Sequence, residues 1–248
     1  MNRALLGAYT YAEFGLCLTG WLPVIAAARL LHRHEAVPRH AGRELRRMAR
    51  IAKRLTPLWH FHVEGQPPSD IHERAYVVVS NHESNADPFL LSWLPWDMRW
   101  VAKQELFDTP VAGWAVALAG DIPLRRGESG SVRAMLSECR RTLDAGLSVM
   151  MFPEGTRSRD GNLLPFKDGA FELAIEANVP VLPVARTGTH SCMPKGSRWL
   201  GEAHAVVRVL EPLSTEGMTH ADAPRLRDRA RDIIGAAVTE LRKDRPAP

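Results

Sequence analysis

Between Ala4 and Ala28 the chain carries one charged side chain, Glu13, and the stretch from Phe14 to Ala28 carries none. Its fifteen residues would reach about 22 Å as a helix, short of the roughly 30 Å hydrocarbon core of a bilayer. A longer span would draw in Glu13 at about 2.5 kcal/mol or more near the bilayer centre. Gly15, Gly20 and Pro23 also interrupt a straight helix. The pattern predicts a segment that dips into one leaflet. A single span is the alternative, and a cleaved signal peptide (Arg3, then Ala26-Ala27-Ala28) is another. Leu45, Met48, Ala52 and Leu55 then recur at helical spacing opposite an arginine-rich surface, predicting an amphipathic helix.

Beyond residue 58 short apolar runs alternate with helical patterns. Strands are predicted over Ala75 to Ser80, Met98 to Val101, Ser148 to Phe152, Val181 to Ala185 and Ala203 to Leu210. Helices are predicted from Ser129 as cap to a stop at Gly146, from Gly169 to Asn178, and from Pro224 to Lys243. The order predicts an α/β fold, a mixed and largely buried sheet flanked by helices, with an N-terminal membrane-associating helical element. At 248 residues the chain holds one moderate domain and an appendage. The division expected is residues 1–57 for the membrane-binding helices and 58–248 for the α/β domain.

The net charge of +4 is unevenly placed. Residues 29 to 57 hold nine Arg or Lys against Glu35 and Glu44, a local +7. A basic face beside an apolar anchor suits a membrane surface with anionic lipids. A core-facing helix with a solvated charged face is the plainer alternative. Nucleic acid is not expected, because no reading motif accompanies the charge. Cys17, Cys139 and Cys192 are odd in number and widely spaced, which predicts reduced, structural thiols. His32 with His34, and His60 with His62, lack a companion carboxylate cluster, so no metal is expected there.

The candidate chemistry begins at Ser80-Asn81-His82-Glu83-Ser84-Asn85-Ala86-Asp87-Pro88, directly after an apolar run. A neutral imidazole can take a proton from a hydroxyl while a carboxylate on its other nitrogen fixes the tautomer. Asp87 could equally cap a helix that starts at Pro88. Gly120-Asp121-Ile122-Pro123-Leu124-Arg125-Arg126 offers two guanidinium groups suited to phosphate or carboxylate. Phe152-Pro153-Glu154-Gly155-Thr156-Arg157-Ser158-Arg159 joins a strand to a glycine, a hydroxyl and two arginines. Val179-Pro180-Val181-Leu182-Pro183-Val184 is apolar and reads as a buried strand.

These four blocks, NHESNAD, GDIPLRR, FPEGTRS and VPVLPV, in that order, resemble the signature blocks of the glycerolipid acyltransferase family, whose bacterial type member is a 1-acyl-sn-glycerol-3-phosphate acyltransferase. Trp100 to Phe107 and Phe166 to Phe171 resemble intervening family segments, so the likeness covers roughly residues 75 to 185. It implies transfer of a fatty acyl group from a thioester, acyl-CoA or acyl carrier protein, to the free hydroxyl of a lysophospholipid. The acceptor it implies first is 1-acyl-glycerol 3-phosphate, giving phosphatidic acid. Another lysolipid, glycerol 3-phosphate, or water in a thioester hydrolase are the alternatives. The chain has no Gly-x-Ser-x-Gly elbow for a serine nucleophile. By the resemblance His82 is the general base and Asp87 its partner. Arg126 and the run Glu154, Gly155, Thr156, Arg157 bind the acceptor's glycerol phosphate, with Lys103 as a further phosphate contact. No metal or cofactor is implied, and the expected location is the cytoplasmic face of the cell membrane. Pro123 and Arg125 depart from the commoner form of the second block and leave the acceptor open.

Overall fold

The computed structural model describes residues 3–158, 160–193 and 200–243. The helices are α1 (Arg3–Leu31), α2 (Arg39–Leu55), α3 (Asp87–Leu91), α4 (Gln104–Phe107), α5 (Ala112–Ala119), α6 (Ser129–Asp144), α7 (Gly169–Ala177) and α8 (Ala223–Lys243). The strands are β1 (Trp59–Glu64), β2 (Val77–Ser80), β3 (Met98–Lys103), β4 (Ile122–Leu124), β5 (Ser148–Met151), β6 (Val181–Thr187) and β7 (Ala203–Val209). They form one sheet in the order β1-β7-β6-β2-β5-β3-β4, with every pair parallel except β6 with β7.

All four residues of β2 and of β5 are buried, as strands covered on both faces must be. One face packs Val77, Val79, Val149 and Val181 against α6, α7 and α8 through Cys139, Phe171, Leu226 and Ile234. The other packs Val78, Met150, Leu182 and Val207 against Leu90, Leu91, Leu94 and Trp96. Because β2, β3, β4, β5 and β6 run parallel, their carboxyl ends meet at one edge. That edge is where α/β sheets present loops to ligands.

Two strands and two short helices were not among the expected elements. β1 is an outer strand with an aromatic, His-rich sequence, and β4 is a three-residue outer strand containing Pro123, a residue tolerated there because an edge needs fewer donors. α4 and α5 are too short to show a period. β6 runs two residues past its expected end, through Arg186 and Thr187. Ser129 opens α6 but does not cap it; Glu128 holds that position.

The N-terminal segment also differs from expectation. α1 is continuous over 29 residues, about 43 Å, through Gly15, Gly20 and Pro23. Packing against α2 and α5, around Ile25, Ala41 and Ala115 with Leu18, Trp21 and Leu45, holds what propensity alone would interrupt. Glu13 is buried between helices and accepts from Thr56 Oγ1 at 2.8 Å, so it faces α2 and not a lipid chain. Phe14 stacks on Phe89 at 5.0 Å and lies 5.3 Å from Trp59. The opposite surface exposes Leu5, Leu16, Val24, Leu30 and Leu31.

The apolar stripe of α2 faces inward through Met48 and Ala52, while Leu55 is exposed. Part of its basic face also turns inward. Arg43 and Arg46 clasp Asp97 at 2.6 and 2.7 Å, Arg46 also donates to the Met98 carbonyl, and Arg50 donates to the Ser92 carbonyl. Together they fasten α2 to the sheet domain, and Arg46, the buried one of the three, is spent there because a buried cation must find acceptors.

Candidate active site

β2 ends at Ser80, and Asn81 and His82 follow at the sheet's carboxyl edge. His82 Nδ1 lies 2.5 Å from Asp87 Oδ2, and Asp87 is fully buried. Asp87 is the first residue of α3, with Ala86 at the cap position and no side-chain cap bond. Its carboxylate turns back instead. Oδ2 accepts from the amides of Glu83 and Ser84 at 3.1 and 2.9 Å, and Oδ1 from Thr189 Oγ1 at 2.5 Å. Oδ1 also forms an ion pair with Arg186. Of the two readings open for Asp87, helix cap and partner of His82, the geometry shows the second, with the carboxylate clasping the His82 loop.

Burial acts to raise the Asp87 carboxyl, but the Arg186 charge and the bonds from His82 and Thr189 outweigh it and hold it below its usual value. His82 is held below the ordinary histidine value chiefly by burial, aided by Arg186 and Arg157 against the pull of Asp87. The imidazole is therefore neutral at pH 7. Its ring stacks on Phe152 with centroids 4.1 Å apart and planes within 7°. With Nδ1 committed and the side chain 14 % exposed, Nε2 is the nitrogen left for a substrate, with no hydrogen-bond partner among the described residues.

β5 delivers Glu154, Gly155, Thr156 and Arg157 one strand over. Glu154 is buried, and its two oxygens accept from the amides of His82 at 2.8 Å and Leu164 at 3.3 Å. It holds the His82 loop through that loop's backbone, with one oxygen engaged by each amide. Ser158 N donates to the His82 carbonyl at 2.8 Å and ties the two loops together. Gly155 sits at φ +67°, a conformation a side chain would strain, with the Lys167 ammonium alongside. Thr156 is exposed and Arg157 half-buried.

Lys103 closes β3, and Arg126 follows β4, so these cations lie two and three strands from β2, roughly 10 to 14 Å at about 4.8 Å per strand. Arg126 and Arg157 are close enough for their like charges to interact, with Glu105 as countercharge to Arg126. Among the described residues the side chains of Lys103, Arg126, Arg157 and Lys167 make no ion pair or hydrogen bond. Arg125 instead lines a hollow with Gln104, Glu128 and Glu138, whose carboxylates do not suit an anion. Asp121 is half-buried, accepts from the Trp100 amide at 3.1 Å and lies near Arg46 and Arg99. Burial lifts it to about 6 despite those donors, so the second block serves packing as well as charge.

Sequence reasoning missed Arg186, Thr189 and Phe152. A lone arginine inside an apolar strand run was the available signal, since such a charge is buried only with a partner. It also missed the carboxylates near the histidine pairs. Glu35 joins His32 and His40, and Glu202 joins His60 and His204. Glu35 already bonds His40 within the +7 segment, where cations are repelled, and the second group is exposed.

The sequence profile of the acyltransferase family matches residues 60–187. The chain is 39 % identical over 180 residues to human 1-acyl-sn-glycerol-3-phosphate acyltransferase alpha, across 72 % of this chain and 62 % of that protein. It thus spans less than two thirds of that relative. Its identity to the human beta protein is 33 % over 224 residues, 88 % of this chain and 79 % of the relative. The crystal structure of the 1-acyl-sn-glycerophosphate (LPA) acyltransferase PlsC from Thermotoga maritima superimposes with a TM-score of 0.81 at 27 % identity, covering 99 % of this chain and 98 % of the other. A profile match over more than half of the sequence, and a relative aligned over most of its own length, make this chain a member of the acyltransferase family.

Proposed function

We propose that the protein transfers a fatty acyl group from acyl-CoA or acyl carrier protein to 1-acyl-glycerol 3-phosphate, forming phosphatidic acid. The observation that carries this reading is His82 with its Nδ1 2.5 Å from the buried carboxylate of Asp87, beside a row of cations at one sheet edge that make no ion pair or hydrogen bond among the described residues. His82 Nε2 takes the proton of the acceptor hydroxyl as its oxygen attacks the thioester carbonyl. The tetrahedral intermediate collapses, the carbon–sulfur bond breaks, and the imidazolium returns its proton to the departing thiolate. No covalent enzyme intermediate is needed. General base assistance of this kind supplies about 10² to 10⁴ in rate, and positioning adds to it.

Arg157, with the exposed Thr156 hydroxyl, is the phosphate clamp nearest the base, because hydroxyl and phosphate of the acceptor are only a few bonds apart; Gly155, whose amide donates to the Phe152 carbonyl at 2.9 Å, shapes the turn that presents them. Lys167 borders it, and Arg126 and Lys103 extend the positive edge. Glu154 acts through the His82 backbone. The names of the human and Thermotoga relatives support a lysophosphatidic acid acceptor.

Residues 1–57 serve as the membrane element and 58–248 as the catalytic domain. α1 is long and apolar enough to cross a bilayer. Its ties to α2, Trp59 and Phe89 favour a helix lying in one leaflet, on the cytoplasmic face where soluble thioesters arrive. The exposed Trp114 of α5 and Leu16 of α1 would enter the same leaflet. The test is to supply labelled acyl-CoA with and without lysophosphatidic acid. Wild type is expected to form phosphatidic acid by mass, and His82→Ala to lose at least about 100-fold while remaining folded. Rapid release of free acid without lipid would identify a hydrolase instead.

A further inference from the structure

We propose that Arg186 is a positioning residue for the His82–Asp87 pair, acting both as a fork that orients the carboxylate and as a fixed charge that keeps the pair from taking up a proton. This rests on the reading of His82 as base.

Arg186 is fully buried near the end of β6, the strand beside β2. A buried cation is strongly disfavoured unless it is paired; this one is paired through its two terminal nitrogens to Asp87, Thr189 and Asn81, while Nε has no hydrogen-bond partner among the described residues. Its guanidinium forms the ion pair with Asp87 Oδ1, donates to Thr189 Oγ1 at 2.9 Å, and donates to the Asn81 carbonyl. Its backbone is pinned by the same residue. Asn81 Nδ2 donates to the Arg186 carbonyl at 2.9 Å, and the Arg186 amide donates to Asn81 Oδ1 at 3.1 Å. The Thr189 hydroxyl accepts from Arg186 while giving its proton to Asp87. One oxygen of Asp87 is therefore held by β6 and the residues after it, which leaves the other aimed at His82 Nδ1.

The electrostatic surroundings give Arg186 its second effect. Glu83 from the His82 loop and Glu154 from β5 face the same space as Asp87, and Cys192 borders it. The cations in reach are Arg186, Arg157 and, against Glu83 at 3.6 Å, Arg242 of α8. Of these Arg186 alone is fully buried in contact with Asp87. Removing its charge makes proton uptake by the pair easier, whichever atom receives the proton. The base is then lost at a higher pH.

The test combines turnover with an NMR titration of the His82 imidazole, assigned by its loss in His82→Gln. Arg186→Met is expected to raise the His82 pKa by about one unit, a tenfold change in proton affinity, and to move the acidic limb of kcat/KM upward equally. Arg186→Lys keeps the charge but not the fork. It should leave the titration within about 0.3 units and lower kcat at least fivefold with both KM values nearly unchanged. A folded Arg186→Met with an unmoved titration, or an Arg186→Lys with wild-type kcat, overturns the proposal. Should Arg186→Met not fold, Arg186→Lys decides alone. Absence of acyl transfer by wild type would defeat the acyltransferase reading instead, while the titration still reports on Arg186.

Discussion

Replacing Glu154 by glutamine tests whether the carboxyl beneath the His82 loop is held against its preferred state. Burial is the main cause that lifts this carboxyl from 4.5 to about 7, against the amides of His82 and Leu164 and the Arg186 charge that favour ionisation. The folded chain thus keeps a proton that the unfolded chain releases near 4.5. Stability from that retained proton is complete below about pH 4.5 and is lost as pH rises through about 7. At about 1.4 kcal/mol per pH unit, the loss is about 3 kcal/mol. Glutamine keeps an oxygen for the His82 amide and has nothing to titrate. The stability difference between Glu154→Gln and wild type should therefore move in favour of the variant by about 3 kcal/mol between pH 4.5 and pH 8. Urea unfolding followed by tryptophan fluorescence at half-unit pH steps measures it, and other titrating groups cancel in the difference. A difference that stays constant with pH, within about 0.5 kcal/mol, refutes the reasoning and means the carboxyl ionises normally.

Arg157→Ala should raise KM for lysophosphatidic acid about tenfold, the equivalent of one charge-assisted hydrogen bond, with KM for the thioester within twofold. Equal losses on both substrates would argue against a phosphate clamp, and Arg126→Ala should show a smaller effect of the same sign. Leu16→Glu combined with Trp114→Glu should reduce sedimentation with anionic phospholipid vesicles at least tenfold, since each carboxylate must be dragged into an apolar layer. Undiminished sedimentation would place the bilayer against another face.

Five of the seven strands were legible as apolar runs, because strands covered on both faces cannot hide their composition. The long helices α6, α7 and α8 were legible from their period. β1 and β4 were not, since edge strands need only one apolar face and can be short. Gly15, Gly20 and Pro23 misled the reading of α1 because local propensity was weighed without the packing of α2 and α5. The basic face of α2 is legible as a charge count, but the inward turn of Arg46 toward Asp97 depends on where residue 97 lies.

The chain's own order of residues determined the blocks and the pairing of His82 with Asp87, but not the order in which the blocks lie across the sheet, where β6, β2, β5 and β4 carry the fourth, first, third and second. That pair is five positions apart, and a short loop makes such neighbours meet. Tertiary structure alone decided what stands behind the pair. Arg186 is about a hundred residues from His82 in sequence, and its contact with Asp87 exists only because β6 lies against β2. Glu154 likewise reaches the His82 amide only because β5 lies on the other side of β2. Local spacing specifies which groups can touch through a loop, whereas strand order, set by burial of the whole sheet, specifies which distant charges share one dry space.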